Sequence, residues 1–192
     1  GVRVNEGHCP AHGKTIPYLP MLEMLRDIFG ITERDTDHEA RRKIAGELLL
    51  LDDAFQELLP IVFDFMGVPD SSRPAPAMSP EGRQQKLFAF VRHLSEARSV
   101  REPTVLFLDD LHWIDPGSDA FLAHSVAAVP NTRTLWLVNF RPEYAADWMR
   151  KAYYQQIPLL PLGPEATREM LADLLGSDPS VEGLSVYVHQ RT

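Results

Sequence analysis

One short stretch constrains the fold of this chain more than any other. It is the apolar run Val105-Leu106-Phe107-Leu108, followed directly by Asp109 and Asp110. A continuous apolar run of this length is typical of a strand buried inside a parallel sheet. In open α/β sheets, ligands bind beyond the carboxyl ends of the strands. The stretch therefore predicts a buried parallel strand that presents two carboxylates to a ligand site.

The remaining segments alternate between strand and helix patterns. We predict strands at 2–5, 104–108, 133–140 and 156–160, and helices at 19–29, 38–51, 53–66 (re-started near Pro60), 80–98, 116–129, 145–151, 164–175 and 181–189. Asp35 or Asp37 would cap the second helix, and Asp115 the helix that starts at Pro116. The proline-rich segment 70–80 predicts a surface loop. This alternation predicts an α/β fold, a parallel sheet flanked by helices.

The two adjacent carboxylates suit phosphate chemistry. Mg²⁺ prefers oxygen ligands and keeps several waters, so Asp109 is a candidate to hold a magnesium-bound water. Asp110 is then a candidate to orient or deprotonate a water that attacks a γ-phosphate. The alternative is a strand that simply ends at a polar turn, with Asp110 or Asp115 capping the next helix. The apolar run alone leaves both interpretations open.

The residues around the pair carry a family resemblance. The string LDDLHWIDPGS, residues 108–118, resembles the Walker B segment of STAND-type signalling ATPases in the AAA-like P-loop superfamily. More narrowly, it resembles the predicted ATPase modules found beside adenylate cyclase domains and in large transcriptional regulators. The segments EGHC (6–9) with PYLP (17–20), NFRPEY (139–144) and LLPL (159–162) fit the same pattern, so the resemblance covers nearly the whole chain.

The resemblance implies a division of roles. Asp109 would be the magnesium-side acid, Asp110 the catalytic acid, and Arg141 the sensor of the γ-phosphate, with ATP and Mg²⁺ as ligands. A guanidinium can contact phosphate oxygens in pairs and neutralise developing charge. The alternative for Arg141 is a structural salt bridge with Glu143 or Asp147. For His112 and Trp113 we expect packing beneath the loop.

The phosphate-binding loop itself is expected outside these residues. Its motif is G-x-x-x-x-G-K-[ST] at the start of a helix, but five residues separate Gly7 from Gly13-Lys14-Thr15, and prolines 17 and 20 follow. We therefore reject Gly13-Lys14-Thr15, and the resemblance places the true loop before Gly1. The family's strand order, 5-1-4-3-2, then implies an open edge beside the strand at 133–140. We expect these 192 residues alone to bind ATP weakly, to be inactive and to aggregate.

Domain boundaries follow from the same resemblance. Residues 1–176 would form a partial P-loop core with a helical insertion at 19–98, and residues 177–192 would begin a helical C-terminal region. The expected function is a regulatory ATPase in signal transduction, acting on other domains of a larger chain, such as a cyclase or a DNA-binding effector. The sequence leaves open whether the protein forms a nucleotide-dependent oligomer. The alternative is a non-catalytic scaffold derived from such an ATPase.

The composition of the chain excludes or disfavours several other classes of function. A net charge of −8 disfavours direct nucleic-acid binding, and no apolar run is long enough to span a membrane. The single cysteine, Cys9, excludes an internal disulfide and suits a cytoplasmic protein. His8, Cys9 and His12 offer only three neighbouring ligands, so we disfavour a zinc site. A G-x-S-x-G elbow is absent from the sequence, which disfavours an α/β hydrolase.

Overall fold

Three parallel strands form the sheet of this protein. The computed structural model describes residues 1–176 and 183–189. In those ranges the strands are β1 (Arg3–His8), β2 (Thr104–Asp109) and β3 (Thr134–Val138), in the order β1-β2-β3. Val4 pairs with Val105, and Val105 pairs in turn with Leu135. The predicted α/β fold with a parallel sheet is confirmed, and β2 is its middle strand.

Helices account for most of the other described residues. The α-helices are α1 (Leu19–Ile28), α2 (Asp37–Leu51), α3 (Leu59–Phe65), α4 (Pro80–Arg101), α5 (Pro116–Ala128), α6 (Pro164–Leu175) and α7 (Leu184–His189). The chain divides into two compact units, Gly1–Tyr154 with the sheet and α1 to α5, and Gln155–Thr192 with α6 and α7. In the described ranges, no helix combines the length and the apolar composition that crossing a bilayer requires.

One face of the sheet is covered by helices. Leu106 and Leu108 of β2 point into it and are buried in one apolar cluster with residues of α1, α4 and α5. Helix α1 approaches β1 closely, since a Cβ atom on Gly7 would lie only 2.7 Å from the carbonyl oxygen of Pro20. Only glycine fits at that position without a backbone shift.

The opposite face of the sheet is open. Val4 is 52% exposed, Leu135 58% and Leu137 52%. These side chains alternate with the covered ones because successive strand residues point to opposite faces. One face of β3 is therefore exposed, although an apolar run of this kind is typical of a strand buried on both faces. β3 is also shorter than predicted, Thr134–Val138.

At two places the secondary structure differs in type from the prediction. Residues 156–160 form no strand in the structure, so the prediction of a strand there is wrong. Pro158 lacks the N–H group that a ladder requires, and an apolar run alone does not supply a neighbouring strand. The helix predicted at 145–151 is a single 3₁₀ turn, Asp147–Arg150.

The caps and ends of some helices differ from the predicted ones by a few residues. Thr36 is the N-cap of α2, in place of the predicted Asp35 or Asp37; its hydroxyl accepts the N–H of Glu39, and the Glu39 carboxylate accepts the N–H of Thr36. This reciprocal capping box follows the T-x-x-E pattern. Helix α4 runs to Arg101, almost a turn beyond the predicted end. Of the helix predicted at 181–189, residues 181 and 182 lie outside the described residues.

Asp115 joins the starts of two helices. As predicted, it caps α5: its Oδ1 accepts the backbone N–H groups of Gly117 and Ser118, both at 3.0 Å. The same oxygen accepts the N–H of Tyr18, the N-cap residue of α1, at 3.2 Å. Tyr18 is left-handed, with φ 64°, and its ring lies 3.0 Å from where a Cβ of Gly117 would be. A single buried carboxylate thus holds α1 against α5.

Removing this carboxylate should destabilise the fold more than removing an ordinary cap. We expect Asp115→Ala to lower the free energy of unfolding by about 2–3 kcal/mol, since it loses a helix cap and leaves the Tyr18 N–H unpaired. Thr36→Ala, which removes only an exposed cap, should cost about 1 kcal/mol. Guanidinium denaturation of both variants measures the difference. An Asp115→Ala loss no larger than that of Thr36→Ala would contradict the joint role.

Candidate functional site

The two aspartates lie at the carboxyl end of the middle strand. Asp109 is the last residue of β2, and Asp110 follows in the left-handed conformation, with φ 55° and ψ 43°. Aspartate tolerates this conformation better than most residues. The turn takes the chain out of the sheet and into a 3₁₀ helix, Leu111–Trp113. The Asp110 side chain is 60% exposed.

Asn139 holds both aspartates in place. Its side-chain nitrogen Nδ2 donates a short hydrogen bond to Asp109 Oδ1, and its Oδ1 accepts the backbone N–H of Asp110 at 2.7 Å. Its backbone carbonyl accepts the N–H of Leu111 at 2.9 Å. One residue therefore fixes the Asp109 carboxylate and stabilises the turn at Asp110.

Asn139 was not among the predicted site residues. Leu108 pairs with Val138, so the next positions, Asp109 and Asn139, meet at the same edge of the sheet. Counting the register forward from two aligned apolar runs would have brought them together. The sequence contains this signal, but it depends on pairing two strands about 30 residues apart.

Arg141 lies two residues beyond Asn139, in the exposed loop after β3. Within the described residues its side chain forms no hydrogen bond or ion pair, either with the two aspartates or with Glu143 and Asp147. Asp147 instead lies 4.0 Å from Arg150. Arg141 thus follows β3 at the same edge of the sheet as the acidic pair, without contact to it, and the salt-bridge alternative finds no support.

Tyr144 anchors the same loop. Its hydroxyl donates to Asp119 Oδ1 on α5 at 2.7 Å, and its ring packs against Phe140 and Trp148. Burial, and then the hydrogen bond to Asp119, raise the pKa of Tyr144, so its hydroxyl stays protonated. The loop that carries Arg141 is therefore tied to α5 close to its starting point.

His112 and Trp113 pack beneath the acidic turn. The His112 side chain is 6% exposed, and its Nδ1 lies 3.8 Å from Asp110 Oδ1, too far for a hydrogen bond. Neither ring nitrogen has a hydrogen-bond partner. The Lys14 ammonium lies 5.1 Å from the Trp113 ring, within cation–π range. Lys14 belongs to a 3₁₀ helix, Ala11–Thr15, and not to the start of an α-helix as a phosphate loop requires.

Cys9 lies in the apolar core, with acidic groups nearby. It follows β1 and is fully buried. Burial raises the pKa of its thiol to about 12, with smaller contributions from the charges of Asp115 and Glu23. The thiol is therefore neutral and unreactive at neutral pH.

The donor set at this edge suits magnesium and not zinc. Among residues 1–176 and 183–189, no group of three or more histidine, cysteine or acidic side chains is placed to hold a metal. Mg²⁺ does not require such a group, because it is bound by one or two carboxylates, waters and substrate phosphates. Asp109 uses Oδ1 for Asn139, while Oδ2 accepts no hydrogen bond from the described residues. The residues present fit a magnesium ion bound through water.

Comparisons with known proteins agree with this architecture. The model of a family described as AAA ATPase domain matches residues 2–138, more than half of the chain. An uncharacterized protein of Rhizobium meliloti (strain 1021) is 29% identical over 107 residues, which cover 56% of this chain and 10% of that protein. The chain thus spans about a tenth of the length of this relative. No solved structure matches the chain.

Cys9 should resist alkylation while the chain is folded. We expect iodoacetamide to modify it at neutral pH only after unfolding in guanidinium, which mass spectrometry would show. Because the pKa of the folded thiol, about 12, exceeds the ordinary value of 9.0, the unfolded chain releases its proton first. Stability should therefore fall as the pH rises between those values. Rapid alkylation of the folded chain would contradict the buried environment.

Proposed function

Because this chain belongs to the AAA ATPase domain family, we propose that it is part of an ATP-hydrolysing regulatory switch of the STAND signalling type. The observation that carries the proposal is the acidic pair Asp109–Asp110 at the carboxyl end of the middle strand, held by Asn139. Ligands of open α/β sheets bind at this edge. A preorganised pair of carboxylates there suits phosphoryl transfer to water.

In this proposal Asp109 serves the metal. Asn139 fixes one carboxylate oxygen, so the other has a defined direction. That oxygen would bind a magnesium-coordinated water. Mg²⁺, when bound, neutralises charge on the β- and γ-phosphates of ATP. The hydrogen bond from Asn139 keeps the carboxylate from rotating, which gives Asn139 a positioning role.

Asp110 would serve the attacking water. Its left-handed backbone turns the side chain away from the sheet, and its carboxylate is largely exposed at the ligand edge. A carboxylate in this position accepts a hydrogen bond from the water and takes up a proton as the water attacks. Arg141, which has no ion-pair partner in the described parts of the chain, would contact the γ-phosphate with its guanidinium.

The switch role rests on two supports. The chain matches a small part of a much longer relative, so a setting beside other domains is consistent with the match. The loop that carries Arg141 is tied through Tyr144 to α5, which gives a route from the phosphate end to a helix. We propose a cytoplasmic protein whose partners are ATP and other domains of a larger chain, with a cyclase or DNA-binding effector as the expected output, and nucleotide-dependent oligomers as one mode of action.

A non-catalytic scaffold is the second candidate, and one observation favours it. The open face of the sheet exposes Val4, Leu135 and Leu137, whereas parallel sheets are ordinarily covered on both faces. An apolar surface of this kind suits contact with protein. Under this alternative, the acidic pair would be a remnant that no longer supports hydrolysis.

Asp110→Asn separates the two candidates. We expect this change, made in the product of the complete gene, to slow ATP hydrolysis about 100-fold or more while ATP binding persists, because the general base is lost. Asparagine also tolerates the left-handed backbone of this position, so the turn should survive. Turnover and nucleotide affinity are measured side by side.

The matched control is Asp147→Asn, an exposed aspartate in the 3₁₀ turn after the Arg141 loop. It should leave both quantities unchanged. If Asp110→Asn hydrolyses ATP at the unaltered rate, Asp110 has no catalytic role. If the unaltered protein binds ATP without hydrolysing it, or does not bind it, the scaffold alternative is favoured.

Arg141→Ala tests the proposed sensor. We expect hydrolysis to fall about 100-fold with a smaller change in ATP affinity, since a guanidinium at the γ-phosphate acts mainly on charge that develops during transfer. Arg150→Ala removes a second exposed arginine from the same region and serves as the control. Equal effects of the two substitutions would assign Arg141 to general surface charge.

A further inference from the structure

A small cavity lies at the other end of the strands, away from the acidic pair. It is partly open and is bordered by α1, α4 and α5 and by residues of β2 and β3, and its lining includes Met24, Val91, Arg98, Thr104, Phe121 and Trp136. The cavity encloses about 40 Å³. At roughly 10–15 Å³ per water, this is room for about three water molecules. Most of the lining is apolar.

Arg98 is the charged residue in this lining. The residue is only 6% exposed, and its Nε and Nη2 atoms have no hydrogen-bond partner. Its guanidinium forms no ion pair with any described residue. Burial, and then the nearby Arg3, lower the pKa of Arg98, but an arginine side chain remains charged at neutral pH. A buried and unpaired charge is costly, so the site calls for an anionic partner.

Glu47, Glu102 and Asp27 lie near enough for their charges to act on Arg98, but none of them forms an ion pair with it. Glu102, four residues after Arg98, is engaged by Arg3, with Arg3 Nε 2.7 Å from Glu102 Oε1. A second polar group in the cavity lining is also unsatisfied, because Thr104 Oγ1 is buried without a hydrogen bond. A guanidinium fork and a hydroxyl therefore border one small space, and both lack partners.

We propose that this cavity binds a short-chain monocarboxylate, of the size of acetate or propionate, through the Arg98 guanidinium and the Thr104 hydroxyl. A carboxylate accepts two parallel hydrogen bonds from a guanidinium, and a single negative charge leaves the buried pair neutral. The short alkyl group packs against the apolar lining beside Trp136. Chloride lacks both the paired geometry and the apolar part, and a phosphate dianion would leave excess charge buried.

This site is separate from the proposed nucleotide edge. Thr104 is the first residue of β2 and Asp109 the last, so about five residue steps of roughly 3.3 Å lie between them. The inference does not rest on the proposed function, because its residues and its measurements are different.

Nuclear magnetic resonance of the product of the complete gene, with ¹⁵N label only in these 192 residues, tests the proposal. The chain has three tryptophans, and only the Trp136 indole lines the cavity. Titration with sodium propionate should move the Trp136 indole signal to saturation in the millimolar range, while those of Trp113 and Trp148 stay in place. Sodium chloride and 1-propanol, which supply the salt and the neutral alkyl group alone, should not saturate it.

Two substitutions locate the binding groups. Arg98→Met should weaken binding about 10- to 100-fold, the usual contribution of hydrogen bonds to a charged group. It should not weaken the fold, since it removes a buried charge. Arg101→Met alters an exposed arginine on the same helix and should bind as the unaltered chain does. Thr104→Val keeps the strand residue's shape and should weaken binding less than Arg98→Met.

Three outcomes would overturn the proposal. One is the absence of a saturable Trp136 shift with propionate. Another is unchanged affinity in both Arg98→Met and Thr104→Val. The third is an equal shift with 1-propanol, which would indicate an apolar cavity that takes up the alkyl group and does not select an anion.

Discussion

The pairing of β2 with a parallel strand on each side is the interaction on which the rest of this molecule depends. It fixes the register that sets Leu108 opposite Val138, and so brings Asn139 to the side of Asp109. Without that register, the Asp109 carboxylate would rotate freely and the left-handed turn at Asp110 would lose the hydrogen bond that supports it. The geometry of the two aspartates therefore depends on the sheet. A mutation that shifts the strand register would disturb this geometry as much as a mutation of either aspartate.

The sequence predicted features that local rules decide. The strand at 104–108, the cap at Asp115 and the helix start at Pro116 follow from short patterns, and the structure places them as expected. Features that depend on distant parts of the chain were missed. Asn139 acquires its role only when two strands align, and residues 156–160 carry an apolar run without the neighbouring strand that would make it a β-strand. An apolar run also does not tell which face of a sheet is covered, and one face of β3 is open.

Several of the buried polar side-chain atoms without partners lie near the two ends of β2. Native proteins leave few buried polar atoms without partners, so each one requires a cause. At the carboxyl end, Asp115 Oδ2 and both ring nitrogens of His112 lack partners, directly beneath the acidic turn. At the amino end, side-chain atoms of Arg98 and Thr104 lack partners as well. Between these two sets lie the apolar residues Leu106 and Leu108 of β2, which are buried.

Helix α1 connects these two ends. Its N-cap residue, Tyr18, is held by Asp115 next to the acidic turn, and its later residues Met24 and Ile28 line the cavity that contains Arg98. A ten-residue helix is about 15 Å long and moves as a rigid element. A ligand that shifts α1 at the cavity would therefore act on the Asp115 contact at the other end. Coupling between two sites is reciprocal. A nucleotide that tightened that contact would therefore change the affinity of the cavity for its ligand by the same factor by which that ligand changes the affinity for the nucleotide.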